Sequence, residues 1–108
     1  MLKSAPIFLL KKIQVNGHQI AKVIIGRHYL EKHSRSIDDG LIIDLVMVLD
    51  GGVFTADSVT GGIEYFATDI QFSKNQESKI YRLIWLFEGE FLEIIGIVNA
   101  YRVGKKKK

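Results

Sequence analysis

The sequence predicts an α+β domain, an antiparallel sheet of about four to five strands with one main helix packed on one face, in the order ββ-α-βββ. Three observations predict it. Two β-rich runs flank Asn16-Gly17 near the start of the chain. A single stretch, Ile37 to Leu49, repeats apolar residues at three to four positions. Apolar runs rich in β-branched and aromatic residues then fill the C-terminal half. A helix covering one side of such a sheet satisfies the layer rule for this class.

The elements follow in order. Residues 7–15, IFLLKKIQV, and 18–26, HQIAKVIIG, form the first hairpin, because Asn-Gly tolerates positive φ at both central positions of a type I′ turn. Arg27 to Ser34, RHYLEKHS, reads as a strand end running into a short helical turn, with His28 and Lys32 on one face. The helix begins at Ser36, whose hydroxyl suits an N-cap. Asp38 and Asp39 complement the positive end of its dipole. Its stripe is Ile37, Leu41, Leu45, Val48 and Leu49, widened by Ile42 and Val46, and Gly51-Gly52 ends it. Residues 53–62 read as a loop, 63–72 as a strand and 73–78, SKNQES, as a polar turn. Two final strands, KIYRLIWLF and FLEIIGIVNAY, are joined around Gly89-Glu90, where Gly at the first central position fits a type II′ turn.

Composition bounds the function. A chain of 108 residues suits one domain, here 1–104, followed by a lysine tail at 105–108. The formal charge of +3 misleads, since removing the four terminal lysines leaves +3 − 4 = −1. A nearly neutral body argues against a broad nucleic-acid-coating surface but allows a small focused cationic site. The absence of cysteine excludes disulfides, cysteine zinc sites and thiol nucleophiles. No apolar run approaches the ~20 residues of a membrane span, and the N-terminal run is short for a signal peptide. The chain reads as a cytoplasmic protein with no membrane partner.

Tyr81 to Arg102, YRLIWLFEGEFLEIIGIVNAYR, is almost wholly apolar yet carries Tyr-Arg at each end. Alternation places Tyr81, Leu83, Trp85 and Phe87 on one face and Arg82, Ile84, Leu86 and Glu88 on the other. Both faces are apolar in the middle, which predicts a central strand covered on much of both sides, with Trp85 in the core. A two-residue turn sets Arg82 opposite Ile97; a three-residue turn puts Arg82 and Arg102 on one face. Either register gathers hydrogen-bonding groups at the end of the hairpin away from the turn.

This stretch resembles the C-terminal strands of RelE/ParE-type toxins, in which a YRL strand is followed by a turn and a strand ending in a basic residue. More broadly it resembles the barnase–EndoU–colicin–RelE-like group of small ribonucleases. The resemblance covers about the last quarter of the chain. It implies a helical part packed on an antiparallel sheet, and metal-independent cleavage of an RNA substrate by arginine, lysine, histidine or tyrosine side chains. It also implies a small inhibitor (antitoxin) protein as partner. Arg82 and Arg102 are the positions that carry over, followed by Tyr101. RelE-like toxins begin with a strand and a long helical hairpin, whereas a β-hairpin and a single clear helix stand here. That departure favours the wider nuclease group, and the neutral body argues against ribosome dependence.

Cleavage through the 2′-hydroxyl needs a base, an acid and cations that stabilise the phosphorane. His28 and His33 suit acid–base work, because an imidazole titrates near neutrality. Arg82 and Arg102 suit the phosphate, because the planar guanidinium binds it bidentately and stays charged. Tyr101 suits orientation or proton donation. His28 and His33 lie five apart rather than at the i, i+4 spacing of paired helix ligands, and the Gly-Gly pairs lack a phosphate-loop pattern. No metal or cofactor is expected. Two further classes fit the same sequence: a non-enzymatic protein-interaction domain using exposed strand edges, and a gyrase-poisoning ParE-like toxin without a nuclease site.

Overall fold

The computed structural model describes residues 6–26, 37–74 and 76–103, with the side chains of Leu10 and Lys74 set aside. The order is β1 (Ile7–Val15), β2 (His18–Ile25), α1 (Asp39–Val48), β3 (Ser58–Thr60), β4 (Ile63–Lys74), β5 (Glu77–Glu88) and β6 (Ile94–Val103). The chain is α+β as expected, but heavier in strand. Among the described residues its sheet has six strands, in the order β1-β2-β6-β5-β4-β3. It is also mixed: β2 and β6 run parallel, from Lys22↔Ile94 to Ile25↔Ile97. All other neighbouring pairs are antiparallel. The expectation of four to five purely antiparallel strands is therefore corrected. Local alternation defines a strand but not its neighbour, and the last strand slots between β2 and β5.

The first hairpin is as the Asn-Gly pair predicts, with Val15 opposite His18 and positive φ at Asn16 (52°) and Gly17 (81°). Asn16 also does something a turn residue need not do. Its Oδ1 accepts from Phe54 N at 2.6 Å, and its Nδ2 donates to Phe54 O at 3.0 Å. Gly51 N donates to Gln14 O at 2.7 Å, and Gln14 N donates to Asp50 Oδ1 at 2.9 Å. The segment leaving the helix is thereby tied along β1, whose edge would otherwise offer unpaired backbone groups.

The N-cap of α1 is Asp38, not Ser36. Asp38 is extended (φ −131°, ψ 174°), and its Oδ1 accepts from Leu41 N at 2.8 Å. A carboxylate at this position both caps the amide and meets the positive dipole end. Ile37 before the cap and Ile42 in the next turn are both buried in the core, which fixes the entry of the helix. The buried stripe is Leu41, Ile42, Leu45, Val46 and Leu49, whereas Val48 is exposed. At 100° per residue Val48 sits about 90° round from the centre of that stripe.

Three connections differ from expectation. Gly61-Gly62, with φ of 60° and 81°, is a two-residue hairpin turn that adds β3 inside the segment read as a loop. The segment SKNQES is mostly strand, since β4 and β5 pair out to Lys74↔Glu77. The β5–β6 connection is five residues long, between Glu88 and Ile94, rather than two or three. Leu92 there has φ 57°, and Phe91 N donates to Glu93 Oε1 at 3.1 Å. These take 91–93 out of the ladder.

The core lies between α1 and one face of the sheet. Trp85 is fully buried at its centre, stacked on Phe66 (4.4 Å, 17°) and edge-on to Phe54 and Phe87. Its indole N–H donates to Thr68 Oγ1 at 3.0 Å, so its polar atom carries no desolvation penalty. Among the described residues no helix is long and apolar enough to cross a membrane.

Candidate functional site

The site is set by the register of the three central strands. Asp69 on β4 pairs with Arg82 on β5, and Arg82 pairs with Tyr101 on β6. These three residues form one row across the sheet. The next pairs along the same face are Ala67↔Ile84 and Ile84↔Asn99. This face is the one opposite Trp85 and the helix, by alternation along β5.

A bulge sits beside the row. Ile84 pairs with Asn99 but Trp85 pairs with Ile97, so β6 carries one extra residue, Val98. The extra residue reverses the facing of everything beyond it relative to a regular strand. Without it Ala100 would stand opposite Arg82, with Arg102 on the same face; with it Tyr101 is the partner and Arg102 turns to the other side. A two-residue turn would also put Tyr101 on the Arg82 face, but four residues beyond the Ile97 it sets opposite Arg82; here Tyr101 is the direct partner. Asn99 Oδ1 accepts from Ala100 N at 2.9 Å at the same step.

Arg82 is held side-on by Asp69. Its Nε donates to Asp69 Oδ1 at 2.6 Å, and its Nη2 donates to Asp69 Oδ2 at 3.0 Å. Tyr101, its cross-strand partner on β6, stands on its other side. Asp69 first, and the neighbouring Tyr101 second, hold the guanidinium charged even more firmly than usual. The same bond from Arg82 lowers the Asp69 carboxyl below its ordinary 3.8, against the opposing effect of desolvation. Both side chains remain substantially exposed, at 39% and 45%. The pair is therefore solvent-screened and open to exchange with other ions.

Arg102 pairs with Tyr81, on the helix side of the sheet. It is exposed there, beside a groove of about 490 Å³ that it lines with Glu77, Ser78 and Lys79. Lys79 is 3.1 Å from Glu77. Arg82 and Tyr101 thus come together, while Arg102 stands on the other face. His28 and His33 lie outside the described residues. The strand preceding them leaves the sheet beside β6, where Gly26 N donates to Ile97 O at 2.8 Å. His18, the remaining histidine, packs its ring against Phe87 at 5.1 Å, near the opposite end of β5.

Sequence reasoning missed Asp69. The polar alternation of Tyr65, Ala67, Asp69 and Gln71 marks the face it occupies, but pairing it with Arg82 requires the tight β4–β5 connection. The same face carries a groove of about 320 Å³, lined by Asp57, Ser58, Thr60, Tyr65, Phe66, Ala67 and Ile84. It begins one cross-strand pair away from Arg82. Among the described residues no three of His, Asp and Glu gather in a way that could hold a metal ion. Comparisons with protein-family models, curated proteins and solved structures found no match.

Proposed function

We propose that the protein is a small metal-independent endoribonuclease of toxin type, working from the face of the sheet opposite α1. The observation that carries this reading is the cross-strand pairing of Arg82 with Tyr101, both half-exposed, on adjacent strands. A guanidinium fixed beside a phenol offers preorganised positive charge and a proton-carrying hydroxyl at one phosphate. In this reaction the 2′-oxygen bonds to phosphorus, the bond from phosphorus to the 5′-oxygen breaks, and Arg82 stabilises the charge on the non-bridging oxygens. The base takes the 2′-hydroxyl proton, and an acid returns one to the 5′-oxygen. Tyr101 is placed to orient or donate, and His28 or His33 supplies the remaining proton transfer. Arg102, on the helix side, serves to hold flanking phosphates. A cytoplasmic location and a small inhibitor protein as partner belong to the same proposal.

A second reading, a protein-interaction domain without nuclease chemistry, is favoured by Asp69, which already neutralises Arg82. One experiment separates the two. Single-stranded RNA incubated with the protein in EDTA yields fragments ending in 2′,3′-cyclic phosphate, and a 2′-deoxy substitution at the cleaved position blocks the cut. Tyr101→Phe, His28→Ala and His33→Ala identify the proton carriers by their rate loss, about 10²-fold or more for a true acid or base. Intact RNA at high protein concentration, with a stable complex formed instead, selects the interaction domain.

A further inference from the structure

We infer that Asp69 is a resident anion on the Arg82 seat, which makes that seat refuse lone phosphate and admit a nucleotide whose base is held in the adjoining groove. The inference rests on reading the Arg82 row as a phosphate site. Two observations carry it. First, the carboxylate already fills the Nε–Nη2 fork with two bonds, at 2.6 and 3.0 Å. That fork is the geometry a phosphate would use. Any incoming anion must displace Asp69 or bind against its charge. Second, the groove of about 320 Å³ starts at Ala67 and Ile84, the pair next to Asp69 and Arg82 on the same face. That step is about 7 Å along the strands, comparable to the reach from a phosphate to its own base.

The groove has the composition of a nucleobase seat. Tyr65 is half-buried and provides an aromatic side chain, Ala67 and Ile84 provide apolar floor, and Asp57, Ser58 and Thr60 provide polar groups at the rim. Stacking and shape then supply binding that a bare ion lacks. That binding offsets the displacement of Asp69, so part of the ligand remote from phosphorus decides whether the phosphate is seated. The exposed ion pair grips Arg82 only weakly. A full negative charge one hydrogen bond from the seat, in contrast, opposes every anion that reaches it. Removing that charge should therefore strengthen anion binding rather than loosen the site.

The test is equilibrium binding by calorimetry with two probes, inorganic phosphate and an uncleavable 2′-deoxy dinucleotide. The wild-type protein is expected to bind the dinucleotide and to bind phosphate far more weakly. Asp69→Asn, or Asp69→Ser as a second variant, is expected to bind phosphate about five- to tenfold more tightly. Adding Arg82→Ala removes that gain. Tyr65→Ala weakens the dinucleotide while leaving phosphate binding by Asp69→Asn unchanged. Phosphate affinity that is unchanged or reduced in both Asp69 variants overturns the inference, as does a Tyr65→Ala protein that binds the dinucleotide normally. Because neither probe is cleaved, failure of RNA cleavage with this binding pattern intact would sink the nuclease reading alone.

Discussion

The two faces of β5 are made by alternate residues of one strand, yet they are different materials. Tyr81, Leu83 and Trp85 face the helix and are buried. Arg82 and Ile84, interleaved with them, face away and remain half-exposed, although Leu86 farther along the same face is buried. The first set meets α1, Phe66 and Ile70 in a single core cluster. In the second set Arg82 meets Asp69 and Tyr101 in a solvent-accessible row, and Ile84 meets Ala67 and Asn99. The difference shows how a small domain separates stability from chemistry. Rigidity is generated on the packed face and transmitted through the strand backbone, so the open face can carry charges in fixed positions without burying them.

Substitutions on the two faces should therefore read out in different assays. The largest stability effect is expected from Trp85→Ala, about 3–5 kcal/mol by urea denaturation. It empties the centre of the aromatic cluster and strips Thr68 Oγ1 of its donor. A loss under about 1 kcal/mol would break the comparison. Asn16→Ala comes next, at about 1–3 kcal/mol, because both backbone groups of Phe54 lose their partner and the turn loses a residue suited to positive φ. Ile84→Thr, one position from Trp85 but on the open face, is expected to change stability by no more than about 1 kcal/mol.

The smallest effect is a pH dependence. Because the folded Asp69 carboxyl is lowered below its ordinary 3.8, its contribution to stability is full above that value and is lost as pH falls through the depressed one. The urea midpoints of wild type and Asp69→Asn should converge in that acidic window and keep a small, constant separation near neutrality. Separation that instead grows on acidification would contradict the pairing with Arg82.

The local signals in the sequence translated well where a feature is built from neighbouring residues. Asn16-Gly17 gave the first hairpin, the apolar stripe gave the helix, and alternation put Trp85 in the core. What stayed hidden depends on residues far apart. The parallel placement of β6 beside β2 is a choice of neighbour, and apolar strands of similar pattern do not encode it locally. The five-residue β5–β6 loop depends on Glu93 capturing the Phe91 amide, and the Val98 bulge on the fit of β6 between two partners. The site inherits these errors. Arg82 and Tyr101 were visible as chemistry, but their direct pairing, the separation of Arg102 and the partnership of Asp69 all follow from register.

The most direct test of the account is the rate of RNA cleavage in EDTA by wild-type and Arg82→Ala proteins with matched urea midpoints. The account predicts that the variant loses about 10²-fold or more in rate while its fold is unaltered. Equal rates for the two proteins, or RNA left whole by the wild type, would contradict it.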